Sequence, residues 1–230
     1  MRAVVVGTGR MGTLVKAELE ARGHEVTAWI GEDGNADGAA LTPERLRGAE
    51  VAIEFTVPSS APRNIELLLE AGLAVVSGTT GIAEALPRLE HAARRYGALL
   101  HATNFSVGLH LMRQAAALLA RGFARHPEFE AHLVDLHHAA KLDAPSGSAL
   151  TLAKQLREEA SVEVPITSIR TGHVPGTHTL SFEGPHESVT LAHAVRDRAV
   201  FAAGAVTAAE WMRGRHGVFR LDDVLAGREG

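Results

Sequence analysis

The sequence predicts an α/β fold, in which a doubly wound parallel sheet is followed by an α+β domain with a mixed sheet. Two observations support this prediction. In the first half of the chain, short continuous apolar runs alternate with helical segments of roughly ten residues, a pattern typical of parallel strands covered on both faces. Beyond Asn104, apolar and polar residues alternate within the runs, as they do in half-buried strands.

Five strands and three connecting helices are predicted in the first half, because each strand is a short apolar run bounded by turn residues. The strands are predicted at residues 3–6, 25–30, 51–55, 74–77 and 98–102, and the helices at 13–22, 61–71 and 83–96. Ligands of such a sheet bind beyond the carboxyl ends of the strands. We therefore expect the loops that follow the strands to form the ligand site.

The second half is predicted to combine long helices with strands of mainly antiparallel character. The helices are predicted at 108–123 and 148–159, and the strands at 130–136, 168–170, 178–183 and 188–195. A further alanine-rich helix is predicted at 202–213.

Composition excludes several classes of function. With 23 Lys and Arg against 27 Asp and Glu, the formal net charge of −4 leaves no basic field for a nucleic acid or an acidic membrane. The longest apolar runs are too short to span a bilayer. There is no cysteine, hence no disulfide, thiolate nucleophile or cysteine-based zinc site. Since the chain opens on a strand-like segment, we expect no signal or transit peptide and a cytoplasmic location.

A glycine-rich motif, GTGRMG, follows the first strand, with Gly7, Gly9 and Gly12 in GxGxxG spacing. Gly7 permits a tight turn, Gly9 lets a pyrophosphate approach the backbone, and Gly12 allows the helix to pack closely on the strand. A glycine-rich strand-to-helix turn that binds no ligand would show the same glycine spacing. The position directly after the first strand favours a Rossmann-like dinucleotide site.

The end of the second strand bears on the choice between NADH and NADPH. An acidic residue there binds the ribose 2′-hydroxyl, and a basic one accepts a 2′-phosphate. This chain has Gly31 where the acid would stand, followed by Glu32 and Asp33. Two carboxylates would repel a 2′-phosphate, which favours NADH, although both could simply solvate a loop.

Two further loops suit a nicotinamide. GTTG at 78–81 follows the fourth strand, and ATNF at 102–105 follows the fifth. Turn residues alone would explain either loop. Their shared location at strand carboxyl ends favours a site.

The segment LHHAAKLDAPSGSAL gathers His137, His138 and Lys141 just before a helix. The N–H groups near Gly147 and Ser148 form an anion site at the helix start. With the lysine and two histidines, the loop suits a small di-anionic substrate, one histidine donating a proton. A capped helix after a polar surface loop is the plain alternative. A metal site is not expected, because HxxxH spacing and cysteine are both missing.

This segment resembles the HHxxKxDAPSGTA signature of the dihydrodipicolinate (4-hydroxy-tetrahydrodipicolinate) reductase family. GTTG, NFSVG, RTGHVPGTH and HAVRDRAVFAAGAVTAAEW also resemble family patterns, in the family's order. The resemblance implies NAD(P)H-dependent reduction of 4-hydroxy-tetrahydrodipicolinate, a cyclic imine precursor, to tetrahydrodipicolinate in lysine and diaminopimelate biosynthesis. Hydride would go to C4 of the ring and His137 would protonate the adjacent carbon.

The resemblance also assigns roles to residues. His137 and Lys141 would be catalytic, Lys141 also holding a substrate carboxylate, and His138, Gly147, Ser148 and Thr80 would bind substrate. The dinucleotide would be lined by Gly7, Thr8, Gly9, Arg10, Met11, Gly12, Gly78, Thr79, Thr80, Ala102, Thr103, Asn104 and Phe105.

Domain organisation is likewise implied by the resemblance. Residues 1–106, completed by 200–230, would bind the dinucleotide. Residues 107–199 would bind substrate and assemble a homotetramer through their sheets. Arg170 and Arg198 have two open interpretations, either contact with substrate or pairing across an interface.

The chain departs from the family pattern in three places. Its glycine loop is one residue shorter than GxxGRMG, Ser148 replaces the usual threonine, and Gly31 replaces the acidic ribose anchor. Two other functions compete. A dehydrogenase similar to L-aspartate dehydrogenase would not explain DAPSG, and a non-catalytic dinucleotide-sensing module would leave the His-His-Lys loop unexplained.

Overall fold

The computed structural model describes residues 1–227 and divides into two compact units. The first unit consists of Met1–Phe105 together with the chain from Arg198 onward, and the second unit is Ser106–Asp197. Residues 228–230 of the predicted segment 200–230 lie outside the described range.

The secondary structure comprises ten strands and eight α-helices within the described range. The strands are β1 (Arg2–Val6), β2 (Glu25–Ile30), β3 (Val51–Glu54), β4 (Ala74–Ser77), β5 (Ala98–His101), β6 (Glu130–His137), β7 (Ile166–Arg170), β8 (Gly176–Glu183), β9 (Ser188–Val195) and β10 (Gly217–Phe219). The helices are α1 (Arg10–Ala21), α2 (Pro43–Leu46), α3 (Ala61–Glu70), α4 (Leu86–Tyr96), α5 (Val107–Phe123), α6 (Gly147–Ala160), α7 (Ala199–Met212) and α8 (Leu221–Leu225).

A six-stranded parallel sheet forms the centre of the first unit, in the order β10-β5-β4-β3-β1-β2. The chain places β2 on one side of β1 and β3 on the other. The strand order therefore reverses between β1 and β3, and ligands of open α/β sheets bind in the crevice at such a reversal. The predicted doubly wound, Rossmann-like sheet is confirmed.

Alternate strand residues face two separate apolar layers. Val5 and Ile53 pack in the layer that contains α1 and α7. Val4 and Ala52, their chain neighbours, pack in the layer that contains α3 and α4. Both faces of the sheet are covered, which explains why its strands are continuous apolar runs instead of alternating ones.

The structure differs from the sequence prediction mainly at element boundaries. Helix α1 begins at Arg10 instead of residue 13, because Gly9 of the glycine motif is already its N-cap. Helix α4 begins at Leu86, since the residues before it, Ala83–Ala85, form a 3₁₀ turn. The short elements α2, α8 and β10 were not predicted, because each is too brief to show a periodic pattern.

A four-stranded mixed sheet forms the second unit, in the order β7-β6-β8-β9. Strand β7 is parallel to β6, and β6–β8 and β8–β9 are antiparallel. Helices α5 and α6 cover one face through an apolar layer that includes Leu133, Leu180 and Leu152. This agrees with the predicted α+β unit with a mixed sheet.

Among residues 1–227, no helix combines the length and apolar character required to cross a lipid bilayer.

A glycine in α7 allows the close approach that this helix makes in the first unit. A Cβ at Gly204 would lie 1.8 Å from the carbonyl oxygen of Phe105, whereas one at Gly122 of α5 would have no neighbour within 4 Å. We expect Gly204→Ala to lower the free energy of unfolding by about 1–3 kcal/mol or more through overpacking. The matched control Gly122→Ala should be neutral or stabilising by up to about 1 kcal/mol.

Urea denaturation would measure both variants. The two tryptophans, Trp29 and Trp211, lie in the first unit, so their fluorescence follows that unit, and circular dichroism follows the whole chain. Equal stability of the two variants would contradict the close contact at Gly204.

Candidate active site

The three motif glycines occupy the end of β1 and the start of α1. A Cβ at Gly7 would lie 2.1 Å from the carbonyl oxygen of Phe55, and one at Gly12 would lie 1.9 Å from that of Gly7. Gly9 faces open space, with nothing within 4 Å of an added Cβ. Because Gly9 caps α1 without a side-chain hydrogen bond, the N–H groups of the first turn can serve a phosphate. The geometry of this loop therefore fits a pyrophosphate.

The end of β2 has no room for an acidic side chain at position 31. A Cβ at Gly31 would lie 2.9 Å from the hydroxyl oxygen of Thr8. Steric exclusion by Thr8 thus accounts for the glycine at the position of the usual ribose anchor. Glu32 and Asp33, which follow, are both exposed.

A buried carboxylate organises the loop after β4. Glu54 at the end of β3 is 0% exposed and accepts hydrogen bonds from the hydroxyls of Ser77 (2.6 Å) and Thr79 (3.0 Å). The backbone N–H of Thr56 also donates to it at 2.9 Å, as does the Thr56 hydroxyl. Nε2 of His101 lies 2.9 Å from the carbonyl oxygen of Thr79. The GTTG loop is therefore held by its side chains and by its backbone.

A cavity of about 200 Å³ in the first unit brings parts of the three predicted loops together. Its lining includes Met11, Gly78, Thr103, Asn104, Phe105 and Arg198. The other predicted cofactor residues are placed differently: Thr79 is buried in the Glu54 cluster, Ala102 is half-buried, and Thr8, Gly9, Arg10 and Thr80 are exposed. The cavity lies at the carboxyl ends of the strands, a position that suits a nicotinamide group.

In the second unit, His137 is the last residue of β6 and is 8% exposed. Its Nδ1 lies 2.9 Å from Oδ1 of Asp135, which is wholly buried two residues earlier on the same face of the strand. Nε2 of His178 on β8 lies 3.4 Å from the same oxygen. The rings of the two histidines meet edge to face, with centroids 5.4 Å apart.

The other predicted substrate residues lie on the loop after β6 and at the start of α6. His138, Lys141 and Ser148 are half-buried, and Nζ of Lys141 lies 2.7 Å from Oδ1 of Asp143. Gly147 is exposed, with nothing within 4 Å of an added Cβ. The N-cap of α6 is Ser146, whose hydroxyl accepts a hydrogen bond from the N–H of Ala149 at 3.3 Å. The backbone N–H of Gly147, at the start of α6, donates to the carboxylate of Asp143, so the first turn of this helix already has an anionic acceptor beside it.

The electrostatics of this cluster follow from burial and from one arginine. Burial alone would raise the pKa of Asp135, but hydrogen bonds from Arg170 and Ser146, with the charge of His137, lower it to about 2. The pKa of His137 lies below its usual value, because burial lowers it by more than the charge of Asp135 raises it. Burial also lowers the pKa of His178, to about 4. Asp135 is thus charged and His178 neutral near pH 7.

Asp135, His137 and His178 also place one potential metal ligand each within 4.8 Å of one another. Nη2 of Arg170 lies 2.8 Å from Oδ2 of Asp135. A fixed guanidinium at this distance would repel a divalent cation. We therefore interpret the cluster as a group that handles a proton.

Sequence reasoning missed three residues of these clusters. Asp135 could have been found, because residues two apart on a strand share a face. His178 could not, because only the antiparallel register that pairs it with Asp135 brings it to the site. Glu54 also gave little signal, since its partners come from several loops.

With a glycine loop at the strand-order reversal and a cavity at the strand ends, the first unit has the construction of nicotinamide dinucleotide-dependent oxidoreductases. The chain belongs to the dihydrodipicolinate reductase family. The model of the N-terminus of dihydrodipicolinate reductase matches residues 1–105, and that of its C-terminus matches residues 107–225. The predicted family is confirmed, and with it the prediction of an NAD(P)H-dependent oxidoreductase of lysine biosynthesis.

Curated relatives of this family match the chain over almost its whole length. The 4-hydroxy-tetrahydrodipicolinate reductase of Christiangramia forsetii is 31% identical over 239 residues, covering 98% of both chains. That of Natronomonas pharaonis is 34% identical over 249 residues, covering 98% of this chain and 100% of the relative.

Solved structures show the same fold. A dipicolinate-bound dihydrodipicolinate reductase from Paenisporosarcina sp. TG-14 matches with a TM-score of 0.80 at 22% identity, covering 96% of this chain and 97% of that one. Aspartate dehydrogenase from Thermotoga maritima matches with a TM-score of 0.52 at 10% identity, covering 94% and 97%. Both likenesses are of fold alone.

Proposed function

We propose that this chain reduces 4-hydroxy-tetrahydrodipicolinate to tetrahydrodipicolinate, with His137 as the proton donor. The observation that carries the proposal is the buried histidine at the end of β6, 2.9 Å from the carboxylate of Asp135. It lies on the segment that leads into the N-terminus of α6, where Asp143 already accepts a hydrogen bond from the N–H of Gly147. This combination supplies an acid and an anion site within one unit, which a di-anionic substrate requires.

The first unit would hold the dinucleotide. The backbone around Gly9 and the start of α1 would bind the pyrophosphate, and the cavity beside Gly78 and Phe105 would hold the nicotinamide. When bound, the reduced nicotinamide supplies the hydride that is added to C4 of the substrate ring. The Glu54 cluster would keep the loop after β4 in one conformation.

The second unit would hold the substrate and complete the reduction. Loss of water from the 4-hydroxy compound gives the conjugated cyclic imine, to which hydride is added at C4. His137 would give its proton to the adjacent carbon, so that one hydride and one proton are added. Lys141, His138 and the N–H groups at Gly147 and Ser148 would hold the two carboxylates.

Replacing His137 by glutamine tests the proton donor. We expect kcat to fall by about 10²–10⁴-fold, the usual contribution of a general acid, with little change in the dissociation constant of NADH. The assay couples dihydrodipicolinate synthase, pyruvate and aspartate semialdehyde to absorbance at 340 nm. His126→Gln, an exposed histidine paired with Glu128, is the matched control and should turn over normally. Normal turnover by His137→Gln would contradict the role.

For the cofactor we propose a preference for NADH. Steric exclusion at Gly31 removes the usual anchor, but the exposed Glu32 and Asp33 place two negative charges beyond the end of β2. These charges would repel a 2′-phosphate.

Charge reversal tests this preference. Glu32→Arg combined with Asp33→Arg should raise the NADPH-to-NADH ratio of kcat/KM by about tenfold or more, equivalent to 1.4 kcal/mol. Glu128→Arg, a reversal on the second unit, should leave the ratio unchanged. An unchanged ratio in the double variant would mean that both carboxylates only solvate the loop.

We also propose a homotetramer assembled through the second unit. On the sheet face opposite α5 and α6, the central rows, that is, the paired residues away from the strand ends, carry apolar and hydroxyl side chains and His132. The acidic residues of this face, Glu130 and Glu183, pair at one end of the sheet. The central rows contain Thr167, Ile169, His132, Val134, Leu136, Thr177, Thr179, Ser181, Thr190, Ala192 and Ala194. A face without formal charge in its centre suits a second copy of itself.

An arginine on this face should disrupt assembly. Ala192→Arg places a charge on the central rows, so light scattering should show a smaller species than the parent chain. Ala124→Arg, at the exposed end of α5, should keep the parental mass. A parent chain that is already monomeric would refute the tetramer.

A further inference from the structure

We propose that Asp135 is a positioning residue for His137, which fixes the ring nitrogen that delivers the proton and couples this acid to the N-terminus of α6. The proposal rests on the proposed function, in which His137 is the proton donor.

The position of Asp135 determines how the imidazole ring is used. Oδ1 of Asp135 lies 2.9 Å from Nδ1 of His137, outside hydrogen-bond geometry, and a charged carboxylate at this distance repels the lone pair of an unprotonated nitrogen. We therefore expect the neutral ring to keep its proton on Nδ1, which leaves Nε2 as the nitrogen that gains and loses one. Asp135 would thus select the tautomer of its histidine, as the carboxylate of a catalytic triad does.

A glycine keeps space beside the reacting nitrogen. A Cβ at Gly176, the first residue of β8, would lie 2.8 Å from Nε2 of His137. Any side chain there would occupy the position next to the nitrogen that must reach the substrate. The two ring nitrogens thus have different surroundings, a carboxylate at Nδ1 and a glycine backbone at Nε2.

The second oxygen of Asp135 is fixed by three donors. Oδ2 accepts hydrogen bonds from Nη2 of Arg170 (2.8 Å), the N–H of Ser146 (2.8 Å) and the hydroxyl of Ser168 (3.3 Å). These bonds prevent rotation of the carboxylate, and so they hold Oδ1 toward the histidine. Ser146 is the N-cap of α6, so one side chain orients both the acid and the helix end that would bind a substrate carboxylate.

Arg170 extends the same network to the loop. Its guanidinium donates to the carbonyl oxygens of Asp135 at 2.9 Å and of Asp143 at 2.6 Å, and its side chain is 15% exposed. The segment between His137 and α6 is therefore tied to the sheet at both ends.

The charged and titratable groups around His137 come from every neighbouring strand and from the loop. Asp135 on β6, Arg170 on β7, and Lys141 and Asp143 on the loop act on His137 directly. The ring of His178 on β8 meets it edge to face, and His193 on β9 acts on His178. Lys141 and Arg170 lower the pKa of His137, whereas Asp135 and Asp143 raise it. Burial lowers the pKa of His178 and of His193, so both are neutral at working pH, and Asp135 is the buried negative charge that favours a protonated His137.

The variant Asp135→Asn tests the proposal through the pH profile. Removing the negative charge lowers the pKa of His137, so the decline of kcat/KM at alkaline pH should move to lower pH. We expect kcat to fall by at least about tenfold, with the KM for NADH unchanged. Glu187→Gln, an exposed carboxylate in the turn before β9, should leave the profile and kcat as in the parent. A fall in kcat without displacement of the profile would refute the proposal.

Asp135→Asn also leaves Arg170 without its carboxylate, and the variant could fail to fold. A measurement on the parent chain avoids this difficulty. Chemical shifts of ¹⁵N-labelled histidines, with His137 assigned from the spectrum of His137→Gln, report the tautomer above pH 8. A proton on Nδ1 supports the proposal, and a proton on Nε2 overturns it.

The two proposals fail in distinguishable ways. Normal turnover by His137→Gln would refute the proton donor, whatever the tautomer. Loss of turnover in that variant, together with an Nε2-protonated ring in the parent, would keep the donor and refute the role of Asp135.

Discussion

Within residues 1–227, each unit buries one carboxylate near the carboxyl end of a strand, and the loops of the candidate site are held by hydrogen bonds to it. Burying a carboxyl group is costly unless hydrogen-bond partners surround it. Glu54 meets this requirement with the hydroxyls of Ser77, Thr79 and Thr56, and Asp135 meets it with Arg170 and Ser146. In both units the compensation for burial also determines the conformation of a functional loop.

The two carboxylates serve different chemistry because their donors differ. The donors to Glu54 are neutral hydroxyl and backbone groups, so this carboxylate gives shape to a loop that would contact a ligand mainly through its backbone. Asp135 has a guanidinium on one oxygen and a histidine on the other, so its charge acts on a titrating ring. A charge-assisted pair of this kind fixes geometry better than neutral bonds do. The unit proposed to transfer a proton is the one that contains it.

Much of the fold could be predicted from the sequence, because local patterns determine it. The strands of the first unit are buried on both faces and are continuous apolar runs, and the motif glycines lie where close contacts leave no space for a Cβ at Gly7 or Gly12. The short elements β10 and α8 could not be predicted, since their few residues carry no period and tertiary packing decides them. At position 31, the sequence indicated a missing anchor, and only the structure supplied the cause, the side chain of Thr8.

The residues of the candidate site likewise fall into those that local sequence groups together and those that only the tertiary structure brings together. His137, Lys141 and Gly147 lie on one continuous segment, so residue spacing was enough to group them. His178 lies on another strand and comes within 3.4 Å of Asp135 only through the register of β6 and β8. Arg170 had two interpretations, and in the structure it pairs with Asp135 inside its own unit, where it neutralises a buried charge. A buried network of this kind is recognised in sequence only when its members are neighbours on one strand, as Asp135 and His137 are.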